Sequence, residues 1–176
     1  MTHYSYTRGF TLIELTVSVG LFALVMMLAS GSYVMMIGLN RQAQGMTSGI
    51  NNLSFVLESM TRSIRSGSVY NCGGLGDCPF GSSSFSFKDE KGVNVSYSLN
   101  GSTIQKTSNS VADALTDPSV TVTSLMFYAF GTRPASAGDY EQSRVTIIVS
   151  GTVSAGAGKT QSFTVETGAV MRGTDL

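Results

Sequence analysis

The chain has 176 residues, with eleven basic and eleven acidic side chains and no net charge, so it offers no electrostatic footprint for nucleic acid or an acidic substrate. Its length allows one modest domain with accessory segments. Charged residues make up 12% of the chain, about half the usual share, and the deficit is concentrated near the N-terminus, which points to a membrane segment.

The opening MTHYSYTRG is polar and ends at Arg8-Gly9, after which the sequence turns abruptly apolar at Phe10. From Leu15 to Leu39 there is no charge, and with the preceding FTLIE the run exceeds the roughly 20 residues that cross a bilayer as a helix. A soluble helix this apolar would need a larger core than the chain can build. A secretory signal peptide also begins with a positive residue, but its apolar region is shorter. It would not hold Glu14 near the start, and it would end in a small-x-small site, which is not evident before Asn40 and Arg41. An uncleaved signal anchor leaves Glu14 unexplained.

Beyond Arg41 the pattern becomes amphipathic. Met46, Ile50, Leu53, Leu57, Met60 and Ile64 are spaced alternately four and three apart, which puts them on one helix face. Gly67 is the stop signal. One helix is therefore expected from Phe10 to about Ser66, weakened locally by Gly31, Gly38, Gly45 and Gly49.

After Gly67 the composition shifts to Ser, Thr, Gly, Val and aromatics in alternation, the pattern of half-buried antiparallel strands. The expected strands are Ser84 to Lys88, Val93 to Leu99, Thr103 to Thr107, Thr121 to Phe130, Arg144 to Val153 and Gln161 to Val170. Asn100-Gly101 reads as a type I′ hairpin turn, and Ala155-Gly156-Ala157-Gly158 joins the last two strands. Asp117-Pro118 and Arg133 to Gly138 read as loops. Cys72 and Cys78 flank a glycine-rich loop that can bring two sulfurs together, and in an oxidising compartment they form a disulfide; free thiols are the alternative. A metal site is disfavoured, because zinc takes four ligands and the single histidine, His3, lies far away in sequence.

The segment RGFTLIELTVSVGLFAL, Arg8 to Leu24, resembles the processing motif of type IV prepilins and type II secretion pseudopilins. The resemblance implies that prepilin peptidase cuts after Gly9 on the cytoplasmic side and N-methylates Phe10. Glycine lets the backbone approach a protease closely, and Arg8 holds the leader in the cytoplasm. A carboxylate in a membrane helix is costly unless paired. The resemblance gives Glu14 a partner, the new α-amino group of Phe10 in a neighbouring subunit, and so a role in assembly. Small residues, among them Ser18, Gly20, Ser30, Gly31 and Ser32, suit close helix packing. Many family members carry a proline near the depth of Gly31, where this chain has Ala29-Ser30-Gly31-Ser32.

The implied plan is α+β and pilin-like: a long N-terminal helix packed on an antiparallel β-sheet domain. Residues 1–9 form the leader, 10–39 the transmembrane and assembly half of the helix, 40–66 its amphipathic half, and 67–176 the β-rich globular domain. The implied partners are prepilin peptidase, other major and minor pilins or pseudopilins, an inner-membrane assembly platform and membrane lipid; no nucleic acid and no cofactor are expected. The implied location is the inner membrane, single-pass, with the globular domain extracytoplasmic, and filament-associated after assembly. SVTVTSLMFYAF, SRVTIIVSG and QSFTVETGAVMRG, with Arg172 near the last strand, resemble the J-type minor pseudopilins and related minor pilins, although the chain lacks the tryptophan often seen before the penultimate strand. That suggests a place near the filament tip.

An enzyme is the first rival reading. After cleavage no histidine remains, and no serine lies in a recognisable nucleophile motif. Asp113, Asp117, Asp139 and Glu141 lack the EF-hand spacing and read as solvated loop charges rather than a calcium site. A membrane-anchored adhesin is the second rival, with Tyr128, Phe130 and Tyr140 as a recognition surface; packing in the sheet or at subunit contacts is the simpler expectation for these rings.

Overall fold

The computed structural model of the chain describes residues 9–74, 76–133, 138, 141–156 and 158–172. Residues 1–8 with Arg8, the loop residues 134–137, Asp139, Tyr140 and Ala157, all of which carried sequence expectations, lie outside the described residues. The architecture is α+β: among the described residues one helix, α1 (Leu12–Arg65), precedes nine strands. The strands are β1 (Ser68–Asn71), β2 (Cys78–Ser82), β3 (Ser84–Lys88), β4 (Asn94–Asn100), β5 (Thr103–Ser108), β6 (Val111–Ala114), β7 (Val120–Phe130), β8 (Arg144–Ser154) and β9 (Thr160–Val170). The chain divides into two compact units, Met1–Arg41 and Gln42–Leu176.

In its described part the first unit is almost entirely helix, and its apolar side chains are exposed on every side. A helix with no polar face has no use for water, and this one is long and apolar enough to cross a membrane. Its serine hydroxyls are satisfied within the helix. Ser18, Ser30 and Ser32 donate to the carbonyls of Glu14, Met26 and Leu28 at 2.8, 2.8 and 3.1 Å. The helix continues unbroken through Ala29–Ser32.

The second unit is built around the amphipathic part of α1. Leu53, Val56, Leu57, Met60 and Ile64 are buried, so the apolar stripe is wider than the alternating spacing suggested and ends higher on the helix. Met46, expected on it, is exposed. The reason lies in two glycines. A Cβ at Gly45 would lie 3.2 Å from the Ser154 carbonyl oxygen, and one at Gly49 would lie inside Val153. At this end the helix meets β8 through bare backbone, so glycine rather than methionine occupies the contact.

The strands are antiparallel, as expected, and form two sheets. The five-stranded sheet has the order β1-β3-β4-β5-β6, and the four-stranded sheet β2-β7-β8-β9. The three strands missed from sequence lack the signal that identified the rest. β1 is four residues long, with only Tyr70 buried and Val69 at a positive φ of 53°; β2 contains Pro79 and Gly81; and β6 is exposed along its whole length. The β4–β5 turn also differs. Asn100 pairs with Thr103, so the central residues are Gly101 and Ser102, and only Gly101 has a positive φ, as type II′ geometry requires of its first position. Asn109 and Ser110, between β5 and β6, both have positive φ (49° and 67°), the pattern of a type I′ turn.

The inner faces of both sheets share one core. Phe85 of β3 stacks on Phe127 of β7 at 5.5 Å between ring centroids, and Tyr70, Phe87 and Tyr97 extend the aromatic cluster. Polar ties fix the end of α1 to this core. The buried Tyr70 hydroxyl donates to the Ile64 carbonyl at 2.6 Å, and the Arg172 amide donates to the Arg65 carbonyl at 3.0 Å. Asn52 Oδ1 accepts the Asp117 amide at 3.0 Å.

Candidate functional site

Gly9, Phe10 and Thr11 lie directly ahead of α1, outside regular secondary structure. Gly9 has nothing within 4 Å of where a Cβ would stand, and Phe10 is 85% exposed. Both residues are exposed.

Thr11 and Glu14 form a reciprocal cap on the helix. The Thr11 hydroxyl accepts the Glu14 amide at 3.3 Å, while Glu14 Oε2 accepts the Thr11 hydroxyl at 3.3 Å and the Thr11 amide at 3.4 Å. The first α-helical bond, from the Leu15 amide to the Thr11 carbonyl, closes the turn at 3.2 Å. This is the capping box of a Thr-x-x-Glu sequence, and it satisfies helix donors that would otherwise be orphaned. The carboxylate also sits at the positive end of the helix dipole. The sequence reading of Glu14 as the partner of a neighbouring subunit passes over Thr11; the Thr11-Leu12-Ile13-Glu14 spacing was the available signal.

These features have a chemical consequence. An ammonium group on Phe10 would lie one residue ahead of the cap, where the helix dipole repels it and a carboxylate stabilises it. Glu14 is one helical turn away in sequence, held at the same end of the helix.

The second constellation is the cysteine pair. Cys72, just past β1, is joined by a disulfide to Cys78, the first residue of β2, with Cα atoms 5.9 Å apart. Since β1 edges one sheet and β2 edges the other, the bond links the two sheets. Both sulfurs approach the Phe127 carbonyl, at 3.5 and 3.6 Å. Within the same loop Asp77 Oδ1 accepts the Thr132 amide at 3.0 Å and its hydroxyl at 3.1 Å.

The other candidate residues stay apart. The Ser119 hydroxyl, and after it the Ser119 amide, which donates to Asp117 Oδ1 at 2.9 Å and caps the turn, hold the Asp117 carboxyl below the ordinary range. Among the described residues no three metal-binding side chains converge. Tyr128 and Phe130 are half-buried on one face of β7, and the Arg144 guanidinium lies over the Phe130 ring at 5.1 Å.

The family model for the prokaryotic N-terminal methylation motif matches residues 4–30, which include the Gly9–Phe10 bond, Thr11, Glu14 and the first five turns of α1. No curated protein and no solved structure matches the chain. The chain thus carries the prepilin-type N-terminal motif, consistent with the type IV pilin and pseudopilin family. That motif implies processing by prepilin peptidase and assembly with other pilins, and it suggests a structural protein rather than an enzyme. With the apolar helix, it supports a membrane-anchored, single-pass chain.

Proposed function

We propose that this chain is a minor pilin or pseudopilin, cut between Gly9 and Phe10, N-methylated on Phe10 and built into a type II secretion pseudopilus or a type IV pilus near its tip. The carrying observation is the capped helix start, where an exposed Gly9–Phe10 bond leads through the Thr11–Glu14 cap straight into an apolar helix. Cleavage removes residues 1–9 and retains the helix as the anchor of residues 10–39, while residues 40–66 join the helix to the β-rich domain of residues 67–176. The domain faces the extracytoplasmic side, in keeping with its disulfide, because such bonds persist in oxidising compartments.

Glu14 then has two successive partners. Before assembly it caps its own helix through Thr11, by hydrogen bonds of 3.3 to 3.4 Å between exposed groups, which are weak enough to exchange. In the filament it takes the Phe10 ammonium of a neighbour, an ion pair that lipid strengthens by lowering the dielectric constant. The J-type assignment rests on the strands of the C-terminal half, β7, β8 and β9.

Replacing Gly9 by Glu tests the processing step. The N-terminal peptide is expected to keep residues 1–9 by mass spectrometry, and a peptide beginning at Phe10 would refute the assignment. Glu14→Ala is expected to be cut normally yet missing from isolated filaments; full incorporation would rule out the pairing with Phe10.

A further inference from the structure

We infer that the outer edge of β9 is a docking site for an extended segment of another polypeptide, which adds to the four-stranded sheet beside β9 as a further strand. The two sheets of the domain have four edge strands, β1, β6, β2 and β9. Three of them are blunted in ways that stop a second chain from pairing. β1 and β6 are only four residues long, and β1 is further bent by a bulge, with Val69 at a φ of 53°. β2 carries a proline, Pro79, and a bulge between Cys78 and Ser82.

β9 has none of these devices. It is eleven residues long, contains no proline, and pairs with β8 residue for residue from Thr160 to Val170 without a shift in register. An antiparallel strand paired on one side turns the amide and carbonyl of every second residue to the other side. No backbone group of a turn, loop or helix among the described residues bonds to that side of β9.

The side chains that β9 turns toward the core are also left partly open. On β8 the inward side chains Val145, Ile147, Val149 and Val153 are exposed by 1% or less. On β9, Phe163 and Val165 pack against the same core, yet both are only half-buried. The apolar layer thus runs on to the last strand of the sheet, where nothing completes its cover.

These features specify the occupant. A row of main-chain donors and acceptors at strand spacing is matched by the main chain of another strand. The side chains of that strand follow from the two faces of β9. Beside Phe163 and Val165 it carries apolar residues at alternate positions. On the outer face Glu166 is exposed and is the single charge of β9, so a lysine or arginine opposite it sets the register. A second copy meeting β9 with its own β9 brings no such partner, since the strand holds no basic residue.

The test uses the full chain in detergent and the synthetic peptide acetyl-Thr-Val-Lys-Val-Thr-Val-Thr-amide, with a control peptide whose central valine is proline. Amide exchange across the domain is followed by mass spectrometry. At saturation the first peptide is expected to slow exchange in β9 by about tenfold or more and to leave β1, β2 and β6 unchanged. Glu166→Lys, at an exposed position, is expected to lose that protection with the lysine peptide and to regain it with a peptide carrying glutamate in place of lysine.

An unprotected β9, equal protection by the proline peptide, or protection of another edge instead would overturn the inference. So would a β9 that becomes protected without peptide as the concentration of the chain rises, which would make the occupant a second copy. None of these outcomes bears on the cut at Gly9 or on filament membership, which the inference does not require.

Discussion

The two parts of α1 obey different solvents. Up to Arg41 the helix is apolar around its whole circumference, and Met27 and Val34 are as exposed as Leu21 and Phe22. From Gln42 onward one stripe is buried to a few per cent exposure, while Ser59, Arg62 and Phe55 remain outside. A helix sorts its residues by face when one side meets a core and the other meets water. It does not sort them when every side meets the same apolar medium. The difference teaches that periodicity alone, within one unbroken element, marks where the β domain begins to supply the packing.

The comparison breaks most visibly at methionine, which is frequent in both parts. Met60 is fully buried in the core, whereas Met27 is 78% exposed within the protein. Met60→Ala is expected to destabilise the β domain by roughly 2 to 5 kcal/mol, through lost burial and the cavity left behind. Met27→Ala should leave the same transition within about 0.5 kcal/mol. Thermal unfolding of the full chain in detergent, followed through a β-domain signal, measures both. Equal effects would mean that the stripe does not carry the packing.

Glycine gives a sharper and smaller contrast. A methyl group at Gly31 meets open space, but at Gly49 it would collide with Val153 Cγ1, with both other side-chain carbons of Val153 at 3.3 Å. Valine is stiff at χ1 and this one is buried, so it cannot turn aside. Gly49→Ala is expected to cost about 1 to 3 kcal/mol from overpacking, although alanine is the better helix former. Gly31→Ala should leave the β-domain transition unchanged in the same assay. A stabilising Gly49→Ala would show that the helix stands further from β8.

How much of this was legible in sequence follows from what each residue answers to. The apolar run, the Gly9–Phe10 boundary, Glu14 and six strands with clean alternation all depend on local pattern, and all could be named. Met46 and Gly49 depend on how closely β8 approaches, a distance that no helical spacing encodes. β1, β2 and β6 are held by neighbours rather than by their own periodicity, so the division into two sheets could not be read. Thr11 was legible and missed: its hydroxyl matters only as half of a pair with Glu14, and attention to the charge alone hides the other half.

The smallest effect probes the contact between the second part of α1 and the five-stranded sheet. Tyr97 on β4 is buried, with the Ser63 side chain of α1 beside its hydroxyl, whereas Tyr33 in the first part is 66% exposed. Burial raises the Tyr97 pKa above the ordinary value near 10, and the Ser63 side chain offsets this only in part. Above about pH 10 the unfolded chain releases the phenolic proton while the folded chain keeps it, so stability present below that pH is lost as pH rises through the folded value. Tyr97→Phe removes the hydroxyl beside Ser63 and is expected to cost about 1 kcal/mol at pH 8. It also removes the proton, so its deficit against the wild type should shrink between pH 10 and 11 in chemical denaturation. Curves that stay parallel over that interval would mean that water reaches the hydroxyl, and that the helix is held there by its apolar stripe alone.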